Sequence, residues 1–88
     1  MTNSKEFSAA AEYVKKLKNT PNNDELGCLY GLYKQATVGD INIPKPGFFN
    51  FKESKKWESW NKYKGMSTYD SEVKYIIAVN TLIQEYGV

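Results

Sequence analysis

The chain has 88 residues, of which 41% are hydrophobic and 25% charged, with a formal net charge of +2. That size makes residues 1–88 one domain, folding buries about 60–70% of the unfolded surface, and the composition argues against disorder. With no His, no Arg and a single cysteine, Cys28, the chain lacks imidazole relays, the ligands of a usual zinc site and an internal disulfide.

The first helix is predicted over Ser4 to Lys18, where Phe7, Ala11, Val14 and Leu17 recur at three- and four-residue steps and share one face. Asn3 with Glu6 three residues on reads as its capping pair. Thr20-Pro21-Asn22-Asn23 interrupts the pattern, and Pro21 favours the opening of a new helix. The second helix is expected from about Asn22 to Val38, with Leu26, Leu29, Tyr30, Tyr33 and Thr37 in register and Asn22 with Glu25 as a capping box. Gly27 and Gly31 weaken it by roughly 1 kcal/mol each, so packing or function has to compensate. Gly39 suits its end. From Asp40 to Asn50, Pro44, Pro46 and Gly47 forbid a regular helix. Ile41, Ile43, Phe48 and Phe49 argue that this loop is packed down.

The third helix, about Lys52 to Lys64, carries Trp57 and Trp60 on one face, both expected in the core, and Gly65 ends it. The fourth opens with Ser67 as N-cap and Asp70 as an acidic N3 residue. It continues as a broad apolar stripe of Tyr69, Val73, Ile76, Ile77, Val79, Leu82, Ile83 and Tyr86. No strand alternation and no internal repeat is present, so the predicted fold class is all-α.

Three groups of residues could carry function. Tyr30, Tyr33 and Lys34 stand at i, i+3 and i+4 and share one surface patch. Two phenols and an ammonium suit an aromatic, phosphorylated ligand, the rings stacking on a base and the lysine meeting a phosphate. The same spacing also suits core-edge tyrosines beside a solvated lysine. Lys52, Lys55 and Lys56 crowd the start of the third helix, where the dipole favours acids, and so suggest an anionic partner; Glu53 and Glu58 dilute that field. Lys15, Lys16 and Lys18 close the first helix, where the dipole already favours cations. Cys28, between apolar neighbours, reads as a buried, inert thiol. Asp40-Ile41-Asn42 opens like a calcium loop, but Lys45 and Phe51 stand where that loop needs Gly and Glu, so no metal site is read.

The run from Tyr30 to Asn42, Tyr-Gly-Leu-Tyr-Lys-Gln-Ala-Thr-Val-Gly-Asp-Ile-Asn, closely resembles the signature of the acyl-CoA-binding protein family. The likeness continues through Pro46-Gly47, Lys56-Trp57-Glu58-Ser59-Trp60-Asn61, Lys64-Gly65-Met66-Ser67, Tyr75-Ile76 and the tail Tyr86-Gly87-Val88, covering essentially the whole chain. The resemblance implies a four-helix up-down-down-up bundle that binds medium- to long-chain acyl-CoA esters without catalysis, cofactor or metal. It implies that Tyr30, Tyr33 and Lys34 contact the nucleotide head, with the stretch Tyr30-Gly31-Leu32-Tyr33-Lys34 lining the site. It places Lys56 near the ribose 3′-phosphate, Tyr75 near the head group and Lys15 as a further basic contact. Leu26 and Gly27 fall along the acyl groove, where the missing side chain of Gly27 is expected to widen or lengthen it.

The implied role is an intracellular, cytoplasmic carrier and pool former. One cysteine suits a reducing compartment, residues 1–7 lack the apolar stretch of a secretory signal, and the longest apolar run, Tyr75 to Val79, is far short of the ~20 residues of a membrane span. A monomer is expected, since no apolar stripe is left over for self-association. The alternative is a helical module that binds an acidic peptide or nucleic acid through its lysine faces, although a charge of +2 by itself does not argue for nucleic acid.

Overall fold

The structure, a computed structural model, describes residues 3–88. Four α-helices run in chain order: α1 (Lys5–Tyr13), α2 (Asn23–Thr37), α3 (Phe51–Asn61) and α4 (Thr68–Tyr86), with a 3₁₀ turn (Val14–Lys16) after α1. No strand occurs among the described residues, so the fold is all-α as expected. The Cα atoms span 36 × 30 × 15 Å, the thickness of two packed helix layers. α4 packs on α1 and α2, whereas α3 rests on α2 alone.

The helix starts follow from their caps, with one shift. Ser4, not Asn3, caps α1 by accepting from the Phe7 amide at 3.1 Å. Asn3 turns inward instead, donating to the Ala36 carbonyl at 3.0 Å and to the buried Glu72 carboxylate. The Asn22–Glu25 box forms in both directions, at 2.8 and 2.9 Å. Ser67 accepts from the Asp70 amide at 3.0 Å. The first helix is shorter than its periodicity predicts. It tightens into the 3₁₀ turn, Leu17 becomes extended, and the Lys18 amide leaves the helix ladder to donate to Gly87 O at 2.9 Å.

The core comprises Phe7, Ala10, Leu29, Leu32, Ala36, Tyr75, Val79 and Leu82. On α4 the buried face is set by Ser71, Glu72, Tyr75, Val79 and Leu82, while Tyr69, Val73 and Ile77 of the predicted stripe point to solvent. Gly31 explains how α3 comes so close to α2: a Cβ there would lie 2.1 Å from the Ser59 carbonyl oxygen.

The loop between α2 and α3 is fixed at its start and exposed at its tip. Gly39 takes a φ of 101°. Asp40 Oδ1 accepts from the Gly65 amide at 2.7 Å and from Gln35 Nε2 at 2.8 Å. Trp60 Nε1 donates to Gly39 O at 2.7 Å and Trp57 Nε1 to Ile43 O at 2.8 Å. Trp60 is buried, outside that core cluster, but Trp57 is only half-buried; its indole N–H holds the loop. Ile43, Phe48 and Phe49 are exposed, contrary to the expectation that they pack down.

Candidate functional site

The capping box at Asn22 fixes where α2 begins and therefore which side chains it turns outward. Leu26, Tyr30 and Tyr33 follow one another along its length, with Lys34 one turn beyond Tyr30. Two surface hollows flank this row and meet at Leu26 and Tyr30, which line both. One, of about 470 Å³, lies between α1, α2 and α4 and is edged by Lys15, Pro21, Leu29, Tyr30, Tyr33 and Tyr75. The other, of about 560 Å³, lies between α2 and α3 and is walled by Leu26, Gly27, Tyr30, Lys52, Lys55 and Lys56.

The first hollow is floored by tyrosines of α2 and α4, with Phe7 of α1 packed behind them in the core. Phe7 stacks on Tyr33 with centroids 5.5 Å apart, and Tyr75 packs against Phe7 at 4.9 Å and Tyr33 at 5.9 Å. Tyr75 is 4% exposed, and burial, with the neighbouring Tyr33, pushes its phenol above the ordinary range. Tyr33 remains 40% exposed and presents ring to solvent. Lys15 stands at the edge, 3.4 Å from Glu12, in an exposed pair worth little.

The second hollow is walled by long flexible cations. Lys56 Nζ lies 5.7 Å from the centroid of the Tyr30 ring and 3.9 Å from Glu53. Lys52 and Lys55 make no ion pair among the described residues, so their ammoniums are free for an anion while their methylene stems can cover apolar surface. Lys34 lines neither hollow; its Nζ sits 4.8 Å above the Trp60 ring, one helical turn past Tyr30.

Of the residues named from sequence, the structure brings Lys15, Leu26, Gly27, Tyr30, Tyr33, Lys56 and Tyr75 to these two hollows. Gly31 and Leu32 do not reach them. Gly31 is covered by α3 and Leu32 is 2% exposed in the core, so both support the site from beneath. Gly27 does line the second hollow, but a Cβ there would come within 2.9 Å of Ser59 Oγ. That hydroxyl is the far end of a side chain that can rotate away, and no backbone atom of α3 crowds the position. Phe7, Pro21 and Leu29 were not singled out, because their spacing and type read as core and turn. The helix packing turns Pro21 and Leu29 toward the first hollow, while Phe7 stays in the core and backs its tyrosines.

A third hollow, of about 410 Å³, lies across Gly27 from the second and is lined by Cys28, Ser59, Lys62 and Tyr63. Cys28 is half-buried rather than buried, with Sγ 3.0 Å from the Tyr63 hydroxyl. Burial and that bond push the Tyr63 phenol well above its ordinary range. Among the described residues no cluster of His, Cys, Asp or Glu could hold a metal ion. Chemically the paired hollows offer aromatic faces, ammoniums and apolar walls: the equipment for binding an amphiphilic anion.

The sequence profile described as Acyl CoA binding protein matches residues 4–79. Acyl-CoA-binding protein 2 of Saccharomyces pastorianus is 51% identical over 81 residues, covering 92% of this chain and 93% of that one. The crystal structure of Oryza sativa Acyl-CoA-Binding Protein 2 superposes with a TM-score of 0.87 at 42% identity, over 91% of this chain and 89% of that one. The solution structure of the yeast Acyl Coenzyme A Binding Protein gives 0.76 at 48% identity, over 98% and 100%.

Proposed function

The chain belongs to the acyl-CoA-binding protein family, and from that membership we propose that it binds medium- to long-chain acyl-CoA esters and carries them as an intracellular pool, without catalysis. The observation that carries the reading is the meeting of the two hollows across Leu26 and Tyr30. The nucleotide head lies on the side of Lys15, Tyr30, Tyr33 and Tyr75, with Lys34 and Lys56 reaching its phosphates. The acyl chain runs along Leu26 and Gly27 under the stems of Lys52, Lys55 and Lys56. Gly31 and Leu32 shape this surface without touching the ligand.

The energetics favour the intact ester over either fragment. Each methylene removed from water contributes about 0.8 kcal/mol, so roughly ten supply several kcal/mol after ordering costs. Each charge-assisted contact to phosphate adds about 1.5–3 kcal/mol. Among the described residues no helix is long and apolar enough to cross a membrane. The protein acts as a monomer in the cytoplasm.

Calorimetric titration with a long-chain acyl-CoA, free CoA and the matching fatty acid tests this directly. One-to-one binding of the ester, with far weaker binding of both fragments, is expected. Equal affinity for the ester and free CoA would sink the two-hollow reading.

A further inference from the structure

We propose that the tip of the loop before α3, where Phe48, Phe49 and Phe51 are set among Lys45, Lys52 and Lys55, docks the protein on anionic lipid surfaces. The three rings are 80%, 87% and 72% exposed. Phe48 and Phe49 pack edge to face on each other, with centroids 5.1 Å apart, and neither belongs to the core. Ile43 on the same loop is also exposed. A contiguous group of exposed apolar side chains in a small protein marks an interaction surface.

The charge around the rings selects the partner. From Ile41 to Lys52 the sequence contains no acid. Lys45 has Glu58 at 3.3 Å in an exposed pair, and Lys52 and Lys55 have no ion pair among the described residues. Aromatic rings that enter the headgroup layer, flanked by ammoniums that meet anionic headgroups, have the composition of an interfacial membrane anchor. The shape fits the same partner. The rings project from a turn closed by the Asn50 amide on Gly47 O at 3.0 Å, and none of the three hollows described above is lined by them. A protein partner needs a broad apolar face or groove, whereas a small projecting aromatic group suits a fluid surface. The two tryptophan N–H bonds at the root of the loop hold its base to α3.

The purpose of such docking rests on the acyl-CoA reading above. Lys52 and Lys55 also wall the larger hollow, and Phe51 begins the helix that carries them. A docked tip therefore sets the acyl hollow beside the surface from which an amphiphilic ester is taken or to which it is given. The docking itself needs no ligand.

Co-sedimentation with phosphatidylcholine vesicles, with and without phosphatidylserine, tests it on the wild-type chain and on Phe48→Ser/Phe49→Ser. The wild type is expected to partition onto the phosphatidylserine vesicles and to be released by salt. The double variant should partition roughly tenfold less or weaker, since two apolar anchors are lost. Its circular dichroism and its acyl-CoA titration in vesicle-free solution should be unchanged. Equal partitioning of the two proteins, or equal partitioning onto neutral and anionic vesicles, would overturn the proposal. So would a self-association of the wild type that the variant abolishes while vesicle binding stays the same. If acyl-CoA fails to bind in solution while vesicle binding still requires the two rings, docking stands and the carrier reading falls.

Discussion

Gly27 and Gly31 both lie inside α2, yet alanine at the two positions should act with opposite signs. Intrinsic propensity favours alanine over glycine by about 1 kcal/mol in either case. At Gly27 the added Cβ meets only Ser59 Oγ, at 2.9 Å, the far end of a side chain that can rotate away. At Gly31 it meets the Ser59 carbonyl oxygen at 2.1 Å and Tyr63 Cδ2 at 2.8 Å. Ordinary contact begins at about 3.4 Å, so the α3 backbone would have to retreat by about 1.3 Å. Overpacking of this kind costs about 1–3 kcal/mol, and a backbone obstacle puts it at the upper end. Gly27→Ala should therefore be neutral to mildly stabilising. Gly31→Ala should lose about 1–2 kcal/mol net, roughly a 5–15 °C fall in Tm at this size. Urea unfolding followed by circular dichroism reads both variants. Equal stabilisation of the two would refute the claim that close approach, rather than helix propensity, governs this seam.

Two further predictions concern the site and the acid limb of stability. Lys34→Ala and Lys56→Ala should each weaken acyl-CoA binding at least about tenfold in calorimetry, one charged contact being worth 1.5–3 kcal/mol, with cooperative unfolding retained; unchanged isotherms for both would remove these residues from the site. The Gly65 amide and Gln35 hold the Asp40 carboxyl below its ordinary 3.8, and the Tyr86 hydroxyl and the Asn22 amide hold Glu25 below its ordinary 4.5. Groups with depressed values stabilise the fold above those ordinary values and lose that contribution as pH falls through the folded ones. Unfolding free energy should thus drop on acidification over that range. Asp40→Asn should flatten the slope; an unchanged slope in urea titrations at stepped pH would contradict it.

The helices were legible because their boundaries are written in local chemistry. Asn22, Ser67, Gly39 and Gly65 act through bonds or backbone angles within a few residues of themselves. The errors arose where tertiary contacts decide. Asn3 makes a plausible cap, but Glu72 lies 69 positions away and claims its amide, leaving Ser4 to cap α1. The fourth helix shows apolar side chains over too wide an arc for periodicity to tell which edge faces the core. Among the site residues, Tyr30, Tyr33 and Lys56 were visible through spacing and resemblance. A run-on motif cannot separate Tyr30 and Tyr33 from Gly31 and Leu32, although a helix turns the first pair outward and the second pair inward. The exposure of Phe48 and Phe49 is hidden in the sequence for a related reason: apolar composition predicts burial, yet no described element of the fold covers them.

The dependence of α3 on a single neighbour shapes how the molecule breathes. α4 packs on both α1 and α2 and ties them into one unit, whereas α3 is joined to it through the Gly31–Ser59 seam and the loop that its two tryptophans grip. Partial opening that sheds α3 exposes less than global unfolding does, so it lies lower on the free-energy ladder of native-state fluctuations. The lysines of the larger hollow travel with that helix. A ligand lying between α2 and α3 binds the closed form alone, and its binding free energy would be added directly to the protection of the α3 amides.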